Sequence, residues 1–157
     1  MTSPGFAKHN HAHCVRSALS AAERCCAEQK LQLTPVRRRV LEHLLSDHKA
    51  LGAYDLLPLL AAEGLGSQPP VVYRALDFLV RHGFAHRIEK LNAYTACARP
   101  GAPHTPAFMI CRSCTAVVET EAPAALAPAA KTAGFAIETT VIEAEGLCPD
   151  CQDAPAS

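Results

Sequence analysis

The chain has 157 residues and a balanced charge, 15 Lys/Arg against 15 Asp/Glu, which leaves room for one domain or two small ones and at first argues against a nucleic-acid partner. No apolar run approaches the ~18–20 residues that cross a bilayer, and the opening MTSPGFAKHNHAHC lacks the basic start and apolar centre of a signal peptide. A cytoplasmic protein with no membrane partner is expected, and there paired cysteines are more often metal ligands or catalytic groups than disulfides.

The charge is unevenly spread. Residues 1–100 carry 13 Lys/Arg and 8 Asp/Glu, while residues 101–157 carry 2 and 7. The split suggests a basic half that faces a polyanion and an acidic half with another task. In chain order, SALSAAERCCAEQK from Ser17 to Lys30 predicts a first helix. In LTPVRRRVLEHLLSDH, Thr34 reads as N-cap and Pro35 as the first helical residue, with Val36, Val40, Leu41, Leu44 and Leu45 forming an apolar stripe. AYDLLPLLAAEG predicts a short third helix ended by Gly64, with Pro58 inside it. QPPVVYRALDFLVRHG predicts a fourth, stopped by Gly83. Its Val72, Ala75, Leu76 and Leu79 point inward, leaving Tyr73, Arg74, Asp77 and Arg81 for solvent.

FAHRIEK and AYTACA then read as two short strands around Leu91-Asn92, so helices followed by a hairpin predict a winged helix. ARPGAPHTP is the evident linker. Beyond it AFMIC, AVVETE and GFAIETTVIEAEG predict strands of a small antiparallel sheet, with PAALAPAAKTAG as a helix ended by Gly134.

Cys111 and Cys114 in CRSC, with Cys148 and Cys151 in CPDC, form two CxxC pairs. Four thiolates suit tetrahedral zinc, and a two-residue spacer lets both thiolates of a pair reach one ion. The intervening residues exceed the interval of an ordinary zinc ribbon but match a strand–helix–strand insert. Zinc would therefore fasten the end of the chain to the sheet. A thioredoxin-like redox motif expects a single CxxC opening a helix near a βαβ pattern.

A second set lies in HRIEKLNAYTACARPGAPH. With Leu91-Asn92 as a two-residue turn, His86 lies opposite Cys97 with Cβ atoms ~5 Å apart. His104 on the linker can fold back to the same point. The fourth ligand must then come from the second unit, where Glu119 is the first acidic candidate. One Cys, two His and a carboxylate make a plausible zinc set. A wing histidine as polar surface, Cys97 as a core residue and Glu119 as a solvated charge are the plainer readings.

The motifs LTPVRRRVL, AYDLL, PPVVYRALDFLVRHGFAHRIE, NAYTAC, MICRSC and VIEAEGLCPDC, in this order, resemble the ferric uptake regulator family and within it the zinc uptake regulator branch, over roughly residues 17–152. The resemblance implies an α+β chain: an N-terminal winged-helix DNA-binding domain and a small C-terminal α/β dimerisation domain with a four-cysteine zinc site. The expected boundaries are a tail at 1–16, the winged helix at 17–97, a hinge linker at 98–106, the dimerisation domain at 107–152 and a tail at 153–157. Cys111, Cys114, Cys148 and Cys151 match the structural zinc site, and His86, Cys97, His104 and Glu119 the sensing site, giving two zinc ions per chain. Tyr73 and Arg74 fall in the recognition helix, and Tyr54 opens the helix before it. Arg37 and Arg38, near the start of the second helix, are expected on phosphates. The expected function is a zinc-responsive repressor of zinc uptake genes that binds inverted-repeat operator DNA as a homodimer, and not an enzyme. A same-family sensor of iron, manganese, nickel or peroxide is the nearest alternative, and a CxxC thiol–disulfide enzyme the alternative of another class. HNHAHC lies outside the family pattern and reads as tail, with a loose metal-binding tract as the alternative; Cys25 and Cys26 read as ordinary helix residues.

Overall fold

The computed structural model describes residues 11–46, 49–66, 68–100 and 104–153. The start of HNHAHC, linker positions 101–103 and the tail from 154 lie outside them. Four helices come first: α1 (His11–Glu28), α2 (Pro35–Leu45), α3 (Ala53–Ala62) and α4 (Pro69–Arg81). Helix α1 begins at His11, not Ser17, so residues 11–16 belong to the helix and not to a tail. VRSALSAAERCC keeps apolar residues at helical spacing as far back as Val15, and Leu19, Ala22 and Cys26 bury against the other helices.

Local chemistry accounts for the helix ends. The Thr34 hydroxyl accepts the Arg37 amide at 3.3 Å and Pro35 supplies the first helical residue of α2. The Gly52 amide donates to the Asp55 carboxylate at 2.8 Å at the start of α3. Pro58 removes one backbone bond within α3, and the helix survives it because Leu56 and Leu60 are fully buried. At the end of α4, Gly83 takes φ 79°, a left-handed turn that only glycine adopts without strain. The four residues expected inward on α4 are buried, joined by Phe78.

The wing follows: β1 (Ala85–Ile88) pairs antiparallel with β2 (Ala93–Ala96). Its register differs from the expected one. His86 pairs with Thr95 instead of Cys97, because the loop is the four residues 89–92, with Asn92 in a left-handed conformation at φ 47°. Leu-Asn is a poor two-residue turn, and the longer loop relieves it. A shift of two keeps every side chain on its face, so His86 and Cys97 remain diagonal neighbours. Leu51, just before α3, exchanges backbone bonds with Tyr94 at 2.8 and 2.9 Å and ties the wing to the helices.

The second unit is a three-stranded sheet in the order β4-β3-β5, with β3 at Pro106–Cys111, β4 at Val117–Glu121 and β5 at Glu143–Gly146. Helix α5 (Leu126–Ala133) joins β4 to β5, and α6 (Pro149–Gln152) ends the described chain. The sheet is mixed, not antiparallel: β5 runs parallel to β3, as a crossover through α5 allows. The long strand expected from Gly134 shrinks to β5. Residues 135–141 have no neighbouring strand among the described residues, and Phe135, Ile137 and Val141 stay 67%, 41% and 57% exposed. A strand without a partner for its ladder has nothing to hold it.

Two cores result. The larger lies among the helices. The smaller joins the two units: Ile88 of the wing buries completely against Phe108, Ile110 and Val117 of the sheet, with Ala50 and Leu91 packed beside it. No described helix is long and apolar enough to cross a membrane.

Candidate metal centres and nucleic-acid interface

The first cluster forms where β3 ends and α6 begins. Cys111 closes β3, Cys114 sits in the turn that leads to β4, Cys148 caps α6 and Cys151 lies within it. Their four sulfur atoms lie within 4.8 Å of one another, with Cys114 Sγ 3.8 Å from Cys148 Sγ. All four are free thiols. Just after CRSC, Thr115 takes φ 62° where the chain turns toward β4. The backbone amides of Cys114 and Cys148 hold the Cys111 thiol down at about 6. A Ser113 hydrogen bond draws Cys151 down, but the neighbouring Cys148 thiol, burial, Cys111 and Cys114 raise it further, to about 12. The shared site thus splits its thiols, with Cys111 lowered and Cys114 and Cys151 raised.

The second cluster draws on three parts of the chain. His86 comes from β1, Cys97 follows β2, His104 ends the linker and Glu119 stands on β4. Their ligand atoms also lie within 4.8 Å of one another. His104 Nε2 is 3.0 Å from Glu119 Oε2 and 3.6 Å from Cys97 Sγ, and His86 Nε2 is 3.1 Å from Glu119 Oε1. Backbone amides hold the acceptors in place: Ala98 N–H donates to Glu119 at 3.2 Å and Arg99 N–H to Cys97 at 3.3 Å. The ring of Phe108 packs edge-on to His86, with centroids 5.5 Å apart.

The fit to a metal rests on His86. Its Nε2 is buried and forms no hydrogen bond, since the approach to Glu119 is close but poorly aligned. An orphaned buried nitrogen is costly unless something occupies the point it faces. Burial pushes the Cys97 thiol up to about 12, and the Glu119 carboxylate adds to it. Burial alone would raise Glu119, but the adjoining His86 ring, the Ala98 amide and His104 bring it below the usual carboxylate range. A buried acid, a buried thiol and two imidazoles converging on one point suit a divalent cation of borderline softness.

The expected DNA-facing residues divide. Tyr73 and Arg74 are exposed on α4, and Tyr54 at the start of α3 is 72% exposed. Tyr54 and Tyr73, with Tyr94 of the wing, line one cleft between α3, α4 and the wing. Arg37 and Arg38 also make contacts within the domain. The Arg37 guanidinium lies 3.9 Å over the Phe78 ring and donates to the Gln32 carbonyl at 2.7 Å. Arg38 pairs with Glu23 and with Glu42. Nothing in the sequence singles out Phe108 or the amides of residues 98 and 99, because their roles come from the register of neighbouring segments.

The zinc uptake regulation protein of Escherichia coli (strain K12) is 42% identical over 146 residues, spanning 90% of this chain and 85% of that protein. The chain belongs to the zinc uptake regulator family. A family structure described as a zinc uptake regulator complexed with zinc and DNA superposes with a TM-score of 0.83 at 41% identity, covering 88% of this chain and 95% of the other. The holo form of XcZur superposes at 0.78 and 39% identity, covering 88% of this chain and 99% of that one. Its apo form reaches only 0.52 at 40% identity, covering 89% and 99%. At near-equal identity and coverage, the chain superposes better on the holo form than on the apo form. No protein-family profile matches the chain.

Proposed function

We propose that the protein is a zinc-responsive repressor of zinc uptake genes that binds an inverted-repeat operator as a zinc-loaded homodimer. The observation that carries this reading is the origin of the second cluster: a wing strand, the end of the wing, the linker and the dimerisation sheet each give one ligand. The relatives named for zinc uptake regulation support zinc over other metals and a regulatory role over enzymatic chemistry.

Cys111, Cys114, Cys148 and Cys151 would hold a structural zinc, and His86, Cys97, His104 and Glu119 a regulatory one, two per chain. Bound zinc supplies a positive centre that satisfies the buried thiolate, carboxylate and orphaned imidazole at once. Residues 17–97 act as the DNA-reading unit, 98–106 as the hinge and 107–152 as the dimerisation unit. Glu119 is fixed on the sheet, so drawing His86 and His104 to it fixes the wing and the linker against that sheet. Helix α4 follows directly after the helical core and before the wing, and it moves with them. In a two-fold dimer this sets the separation of two recognition helices, which must approach one DNA turn of ~34–36 Å to read an inverted repeat. Arg74 and Tyr73 then meet base edges, and Tyr54 supports them from α3. The metal can bias this arrangement only by its differential affinity for it.

The exposed Phe135, Ile137 and Val141 beside the short β5 support dimerisation through this segment. A strand that lacks a partner in its own chain can find one in a second copy. Reduced thiols at both clusters suit the cytoplasm.

The test is operator binding at zinc activities fixed by a chelator buffer, using DNA selected from random sequence by the zinc-loaded protein. Operator affinity should rise steeply with zinc and not with iron, manganese or nickel at their physiological activities. Equal affinity with and without zinc would falsify the proposal and leave a constitutive DNA-binding protein.

A further inference from the structure

We propose that Glu143 is a positioning residue for the zinc response: a latch that holds the wing tip to the dimerisation sheet without metal and so sets how much zinc the switch needs. The inference rests on the zinc-responsive reading above and adds a residue outside both metal clusters.

The carboxylate of Glu143, at the start of β5, accepts two consecutive backbone amides of the wing loop, Glu89 N–H at 2.6 Å and Lys90 N–H at 3.0 Å. Charge-assisted bonds to backbone amides are among the stronger hydrogen bonds, and both cross from one unit to the other. Phe108 in β3 pairs with Glu119 on one side and with Glu143 on the other. Residues side by side in neighbouring strands share a face, so one row of the sheet presents carboxylate, ring, carboxylate to the wing. Glu119 meets His86 and Glu143 meets residues 89 and 90, three and four positions further along. Between them Ile88 buries fully against Phe108, Ile110 and Val117. The Lys90–Glu145 ion pair at 3.2 Å is exposed and adds little.

The two ends of this row differ in what they require. The Glu119 end gathers a carboxylate, a thiol and two imidazoles at one point and leaves the buried His86 Nε2 without a hydrogen bond. The Glu143 end needs no cation, because its partners are neutral amides whose only alternative is water. It therefore stabilises the closed arrangement in metal-free and metal-loaded protein alike. A bias present before zinc arrives lowers the zinc activity at which the closed form dominates, with no effect on the geometry reached at saturation.

Glu143→Gln separates this from a merely structural role. A glutamine amide can accept one of the two N–H groups but turns a donor toward the other. In the full-length protein, the variant's zinc activity for half-maximal operator binding should rise about three- to tenfold, on the scale of one lost intramolecular hydrogen bond. Operator affinity at saturating zinc and the dimer should be unchanged, and Glu143→Asp should fall between. Hydrogen exchange at the amides of Glu89 and Lys90 should accelerate in the metal-loaded variant. An unchanged zinc midpoint overturns the proposal, and so does a loss of operator binding that saturating zinc does not restore. If the unaltered protein binds operator equally with and without zinc, the functional reading fails, and exchange at the two amides alone decides whether Glu143 latches the wing.

Discussion

His86 and Glu119 meet at 3.1 Å across the boundary between the two halves of the chain, and the contact is too poorly aligned to be a hydrogen bond. The carboxylate belongs to a sheet and the imidazole to a wing, and no described group hydrogen-bonds that nitrogen. The pair is arranged for a third participant.

Replacing one ligand at the first cluster should unfold the second unit. Structural zinc carries ~10–16 kcal/mol of apparent binding free energy in small domains. Cys111→Ser or Cys148→Ser should lower stability by more than about 4 kcal/mol and remove one zinc per chain. Calorimetric melting alongside metal analysis reads both. A stable variant lacking that zinc would remove the structural role.

At the second cluster, His104→Ala should leave a folded dimer with weakened operator binding at limiting zinc. His86→Ala and Cys97→Ser should do the same. Sedimentation at each zinc activity checks the dimer while fluorescence anisotropy follows the operator. Dissociation of the dimer in step with DNA release would place the effect elsewhere.

Zinc affinity at this cluster should rise with pH. In the metal-free protein the Cys97 thiol titrates at about 12, so it holds its proton at neutral pH, and binding must expel it. One proton released makes the apparent affinity climb about tenfold per pH unit well below that value. Competition with a chelator of known pH dependence, from roughly pH 7 to 9, measures the slope. A flat profile would mean the thiol is not a ligand.

Arg74→Ala should cost roughly 1–3 kcal/mol on operator and relax specificity at one position per half-site. Arg37→Ala should act differently, because its guanidinium lies on Phe78 and joins α2 to α4. A loss of about 0.5–1 kcal/mol in folding stability is expected there, with little change in the salt dependence of DNA binding. Binding curves at several salt concentrations separate the two.

Ile137→Asp should weaken the dimer at least about tenfold by putting a charge into the segment that has no partner strand. Concentration-dependent sedimentation gives the constant. A dimer of unchanged affinity would move the interface off residues 135–141.

Periodicity and capping made the helices legible. Thr34-Pro35 and Gly83 act through local backbone chemistry, so α2 and α4 begin and end where expected. Both four-residue clusters were legible as well, even though the hairpin register behind one was wrong by two residues. That error was harmless because side chains alternate with period two, and only an odd slip would have turned His86 away. What the sequence concealed is non-local. The strand expected from Gly134 has the right composition, but pairing depends on a neighbour that composition does not name. The contacts of Arg37 with Phe78 and of Arg38 with Glu23 are non-local in the same way. Glu143 belongs to no motif, and its place beside Phe108 comes from β5 running parallel to β3.

Three residues separate the end of α4 at Arg81 from the start of β1 at Ala85, and Phe84 among them is almost completely buried. The connection has no slack. Helix α4 has 13 residues, so its far end lies about 20 Å from the wing at ~1.5 Å per residue. A tilt of about 10° at the wing sweeps that end through about 3.5 Å, close to the ~3.4 Å step between successive bases on one strand. Arg74 lies about midway along α4, so the same tilt moves it by about half as much. On the proposed reading of Arg74, a change of about 20° at the hinge would carry it from one base pair to the next.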